Sequence, residues 1–164
     1  MVHLTADELV AYTNGERKKW NRWFVDKPQG MSVPAQRQGR FPTVGSLIDH
    51  IFLVERRHLQ RLTGQTPLAE ETGVADTDVA GLFAFGDAVR EDLVQYARSL
   101  SEDDAKTVRQ FEVRGQRVAM TPRKLLFHIL IHEIRHWAQV ALALRNGGHE
   151  PQGDHDLFNS EALE

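Results

Sequence analysis

Three histidines recur at four-residue spacing, His128, His132 and His136, within HILIHEIRHWAQ, and a fourth, His50, stands in SLIDHIF. Neutral imidazole is the commonest protein ligand for transition metals. Residues at i and i+4 of a helix share one face, one turn apart. A helical His-x-x-x-His that meets a third His on a neighbouring helix is therefore a candidate three-nitrogen metal site, with coordination positions open to water or substrate. From His128 to His136 the direction drifts by about 80° around the helix, so three in a row rarely serve one ion. Two adjacent turns plus His50 form the economical set, and spacing alone leaves the 128/132 and 132/136 pairs both open. For any one of these residues a hydrogen-bonded core histidine is the simpler reading; the combination weakens it. No catalytic nucleophile stands out, and no Ser/His/Asp set is evident. The nearest carboxylates in sequence are Glu55 and Glu133. Glu55 is a candidate to support a ligand from behind, whereas Glu133, about 100° on from His132, is expected to point away. Both are expected to be solvated charges more often than not.

The elements that must position these residues read as long helices. The last, from Thr121 to Gly148, has a capping hydroxyl at Thr121, Pro122 at the first helical position and Asn146-Gly147-Gly148 as a stop. It is apolar almost all round, as a helix buried on several sides is. The first helix opens on a Thr5-Ala-Asp-Glu8 capping box and carries Leu9, Tyr12, Glu16, Trp20, Trp23 and Phe24 at helical spacing. The second, Thr43 to Gly64, has a Val44, Leu47, Ile51, Val54 and Leu62 stripe with His50 and His58 in register. The third runs from about Thr77 to Leu100, with Gly81 and Gly86 either weakening it or admitting a close neighbour. Residues 25–42 read as a long Pro/Gly-punctuated loop, a candidate site rim through Gln36, Arg37, Gln38 and Arg40. Alternation in TVRQFEVRGQRVAM predicts a hairpin-like insert before the last long helix. The tail after Gly148 suggests a short docked turn through Leu157, Phe158 and Leu163. The expected fold is all-α, a four-helix bundle with that short β-hairpin-like insert, forming one domain over 1–164. Long connections allow a crossover order that sets the second and last helices side by side.

Composition narrows the chemistry. There is no cysteine, which excludes disulfides and thiolate metal sites and leaves His, Asp or Glu as ligands. The net charge of -3, with both signs interspersed, gives no footprint for nucleic acid. No apolar run reaches a membrane span, and the N-terminus does not read as a signal peptide, so a cytoplasmic protein is expected.

With these residues in view the chain resembles the DinB/YfiT-like superfamily, whose members are four-helix bundles, often dimers, with one His on the second helix and His-x-x-x-His followed by Gln on the last. The resemblance spans the chain: SLIDHIF, the strand-like insert, HILIHEIRHWAQ, the Gly-rich helix end and the Pro/Asp tail. It implies His50, His132 and His136 as metal ligands, with Gln139 matching the motif glutamine and His128 standing behind the ligands. Trp137-Ala138 departs from the pattern, since many members have Arg-Gly there. The implied cofactor is a divalent transition metal, Zn or Ni foremost and Mn or Fe after them. The implied activity is a low-molecular-weight-thiol-dependent S-transferase, the thiol coming from outside. A metal-dependent hydrolase, or a non-catalytic metal-binding or stress-related dimer, is the alternative. A homodimer is expected, partly because Trp20, Trp23 and Phe24 look exposed, and the substrate is expected to be a small molecule.

Overall fold

Each long helix begins at a side-chain cap, and two of these, Thr5 and Thr121, are the caps expected from the sequence. In the computed structural model, which describes residues 4–35, 40–68, 72–113, 115–151, 155, 157–160 and 162, helix α1 spans Ala6–Asp26. The Thr5 hydroxyl accepts from the Glu8 amide at 3.2 Å and the Glu8 carboxylate accepts from the Thr5 amide at 2.6 Å, which completes the capping box. Helix α2, Val44–Leu62, starts at a Thr43/Ser46 box, and α3, Val79–Ser99, starts at Asp78. A short α4, Glu102–Lys106, precedes strands β1, Arg109–Val113, and β2, Gln116–Met120. These pair antiparallel with Phe111 opposite Val118, the expected hairpin. Helix α5, Pro122–Asn146, is capped by Thr121, and Gly148 takes the left-handed conformation just past its end.

The four long helices pack in a ring, α1 against α3 and α5, and α2 against α3 and α5. Helices α2 and α5, which carry the histidines, therefore lie side by side, as a crossover order requires. The crossings fall between α1 and α2 and between α3 and α5; the long link from α2 to α3 joins neighbours. That link returns to the start of α2, where Asp76 accepts from the Thr43 hydroxyl at 3.0 Å. Its backbone passes so close that a Cβ on Gly45 would stand 1.9 Å from the Asp76 carbonyl oxygen. Gly86 of α3 likewise admits the Phe52 ring, the close neighbour anticipated for it.

Several expectations change. Residues 25–42 are not one long loop. Val25 and Asp26 are still helical, Pro28–Ser32 forms a 3-10 helix, and Pro34 bridges Thr43. Buried Met31 and Val33 pin this segment to the core; Gln36, Arg37 and Gln38 lie outside the described residues. Trp20, Trp23 and Phe24 are core, at 1%, 5% and 0% exposure: Trp20 stacks on Trp137, Phe24 packs tilted against Phe83, and Trp23 sits edge-on to Phe24. Phe158, expected to dock the tail, is 91% exposed, and Leu163 lies outside the described residues. The tail is held instead by His155, whose Nδ1 meets Glu16 at 2.7 Å and whose ring stacks on Trp20.

The largest departure is electrostatic. Glu55 and Glu133 are not solvated but buried, at 2% and 1% exposure. They meet buried Arg17 and Arg90, so that each long helix supplies one charge to a neutral quartet. Arg17 Nε donates to Glu133 at 2.6 Å and Arg90 Nε to Glu55 at 2.7 Å; Arg17 also donates to Glu55, and Arg90 to Glu133 at 2.5 Å. Burial alone would raise the Glu133 pKa, but Arg17 and Arg90 outweigh it and hold the carboxyl below its usual range. An unpaired buried charge would be severely destabilising, and four that satisfy one another avoid that penalty.

Candidate metal centre

His50 comes from the first turns of α2, and His132 and His136 from adjacent turns in the middle of α5. Because α2 and α5 pack together, one ring nitrogen of each lies within 4.8 Å of the others, at half-buried positions. The Nε2 atoms of His132 and His136 face each other at 3.0 Å. Two nitrogens bound to one ion at about 2.0–2.1 Å stand about 2.9–3.4 Å apart across octahedral to tetrahedral angles, so this pair fits a shared ion. The ring centroids of His50 lie 5.2 Å from those of His132 and 5.1 Å from those of His136.

Two neighbours fix the imidazoles. Gln139, one turn beyond His136, accepts from His136 Nδ1 at 2.7 Å, which leaves His136 Nε2 as the lone-pair nitrogen. Phe41, at the end of the 3-10 segment's return, lies against His50 at 4.4 Å between ring centroids and edges His136 at 6.1 Å. The segment before α2 thus covers part of the site, and Arg40 lines the cleft beside it.

Electrostatics favour neutral ligands. Burial pushes the His132 pKa down to about 2, helped by the neighbouring His136, His50, His128 and His58. Burial also lowers His136 and Arg135 adds to this, against the opposing Gln139 hydrogen bond. Imidazoles that resist protonation keep their lone pairs free for a cation. The donor set is three nitrogens with no sulfur and no carboxylate in the cluster among the described residues, which suits a divalent transition metal better than a hard oxygen-seeking ion.

His128, one turn before His132, stands outside the triad: it packs edge-on to His58 at 5.3 Å and reaches His132 only at 5.8 Å between centroids. Both oxygens of Glu55 are taken by Arg17 and Arg90, so this carboxylate faces the charged interior. Trp137 also turns inward, donating its indole N–H to Glu133 at 3.0 Å. Beside the histidines opens a cleft of about 610 Å³, lined by His50, His58, His128 and His132 with Arg57 and Arg61 among others.

A model of the DinB family matches residues 1–162. The chain belongs to the DinB family. No curated protein matches it. Membership agrees with a helical architecture carrying a small antiparallel sheet and with a histidine cluster able to hold a metal ion. No helix among the described residues is long and apolar enough to cross a membrane.

Sequence reasoning missed Arg17, Arg90, Arg57, Arg61 and Phe41. For Arg57 and Arg61 a signal existed: the basic run Arg56-Arg57-His58 and Arg61 continues the His50 face of α2. For Arg17, the start of the run Arg17-Lys18-Lys19, and for Arg90 there was none, since an Arg on a helix is ordinarily a solvated residue.

Proposed function

We propose that this DinB family member is a divalent-metal-dependent enzyme on a four-helix bundle, acting as an S-transferase on a small external thiol. The observation that carries the reading is the half-buried His50, His132 and His136 triad, two of whose members, His50 and His132, line a cleft. His50, His132 and His136 would hold the ion, with Gln139 orienting His136. Three neutral ligands leave the ion's charge uncompensated, and such an ion supplies Lewis acidity that favours the anion of a thiol or water. The protein has no thiol of its own, so the nucleophile must enter through the cleft. Its volume suits a small molecule. A purely structural ion would call for a closed fourth position, and the described residues place no fourth His, Asp or Glu in the cluster.

The test is metal analysis of protein purified without chelator, followed by Co²⁺ loading. One divalent ion per chain is expected, and a small thiol should produce a thiolate-to-metal charge-transfer band. Absence of metal uptake removes the site. Metal uptake with no thiolate band, together with ester or amide cleavage, points to the hydrolase alternative.

A homodimer is part of the same proposal. Trp20, Trp23 and Phe24 no longer support it, but Ile131 and Leu142 are exposed on α5. Sedimentation at micromolar concentration should show a dimer, and a monomer there would remove this part.

A further inference from the structure

The walls of the cleft carry no carboxylate among the described residues; the charged side chains lining it are Arg40, Arg57 and Arg61. Positions 50, 54, 57, 58 and 61 follow the 3- and 4-residue steps of one helical face, so α2 presents His50 at one end of the cleft and Arg57 and Arg61 towards the other. Elsewhere the protein neutralises its buried guanidiniums, Arg17 and Arg90, with two glutamates, and even the surface Arg56, next to Arg57, pairs with Asp92 at 2.7 Å. Arg57 and Arg61 have no such ion pair among the described residues. Arg57 Nε is buried and bonds to nothing there. Arg61 Nε donates to the Glu112 carbonyl oxygen at 2.7 Å, which fixes the guanidinium while its two outer nitrogens remain to donate. Burial lowers the pKa of Arg61, and the nearby Arg57 lowers it further, while the Glu112 charge opposes them. Two guanidiniums one turn apart in a concave, partly dry site are stabilised by an anion placed between them. Arginine offers the paired N–H geometry that matches a carboxylate or phosphate.

We propose that the cleft recognises an anionic ligand, with Arg57 and Arg61 holding a carboxylate or phosphate of the molecule whose reactive group reaches the histidines. This rests on the metal-dependent reading for the word "reactive", but anion binding itself does not require metal. Val54 and Val113 line the same cleft and leave room for a short apolar segment between the two polar ends. The substrate class is therefore a small acid, such as a thiol bearing a carboxylate or phosphate, rather than a neutral or cationic one.

The test uses the full chain, stripped of metal and desalted, in isothermal titrations with inorganic phosphate, succinate and uncharged succinamide. Phosphate or succinate should bind with a Kd of about 1 mM or tighter, weakening as salt is added, while succinamide should not bind. The tighter of the two anions identifies which group the site takes. Arg57→Gln/Arg61→Gln should lose about tenfold or more in anion affinity, and Arg56→Gln should lose none. Metal affinity of the double variant should be retained or increased, since two cations leave the vicinity of a third. His132→Ala should lose metal and keep the anion, which separates failure of this proposal from failure of the metal site. No anion binding to the unmodified chain, equal binding of succinamide, or unchanged anion binding in the double variant overturns the proposal.

Discussion

Replacing Glu133 by glutamine removes one of two negative charges from a quartet buried at the meeting of all four long helices. Glu133 accepts four hydrogen bonds: from Arg17 at 2.6 and 3.0 Å, from Arg90 at 2.5 Å and from Trp137 at 3.0 Å. Glutamine keeps the shape but turns an amide N–H₂ towards guanidinium donors, and it leaves two cations sharing Glu55. Removing one partner of a buried ion pair typically costs about 3–5 kcal/mol, because the other charge stays buried and uncompensated. For a chain of this size, about 2–4 °C per kcal/mol gives a melting temperature lower by about 6–20 °C. Urea unfolding followed by circular dichroism should report the same loss. A second variant tests the cause: adding Arg90→Met to Glu133→Gln restores neutrality, so the pair should be less destabilised than the sum of its single changes by about 1–3 kcal/mol. A Glu133→Gln loss below about 1 kcal/mol, the range of an exposed pair, would refute the reasoning. Strict additivity of the two changes would refute it equally.

Other outcomes are specific to single residues. His132→Ala and His50→Ala should abolish tight metal binding in calorimetric titration. His128→Ala should weaken it only about 10–100-fold, the usual effect of losing a supporting residue. The reverse ranking of His128 and His136 would move the site by one helical turn. Metal-free protein should lose stability as pH falls below 6.5. His132 titrates near 2 in the folded chain against 6.5 unfolded, so the unfolded chain binds the extra proton across that window and is favoured. Thermal melts between pH 7 and 5 should show this decline, and His132→Ala should flatten it; an unchanged slope would count against the buried neutral imidazole. Gly45→Ala should destabilise, since its Cβ meets the Asp76 backbone at 1.9 Å, whereas Gly15→Ala, with nothing within 4 Å, should stabilise by about 0.5–1 kcal/mol in paired melts.

What the chain determines by itself is local. Caps at Thr5 and Thr121 were legible because a hydroxyl and an amide three residues apart satisfy each other in any context. The hairpin was legible because alternation has period two. The i, i+4 spacing of His132 and His136 places them together on any straight helix; Gln139 was named by the family resemblance, and its position three residues on lets it reach His136. Spacing left the choice between the 128/132 and 132/136 pairs open, because both are equally helical. The position of α2 separates them: it brings His50 to His132 and His136 and pairs His128 with His58. Burial of charge was likewise beyond the sequence. Glu55 and Glu133 read as surface residues because a carboxylate's place depends on what faces it, and Arg17 and Arg90 come from helices far along the chain. The same holds for Trp20, Trp23 and Phe24, whose aromatic stripe shows that a helix end will be covered but not by what. Tertiary packing covers it with Trp137, Phe83 and the ring of His155, since long-range partners are set by which helices become neighbours.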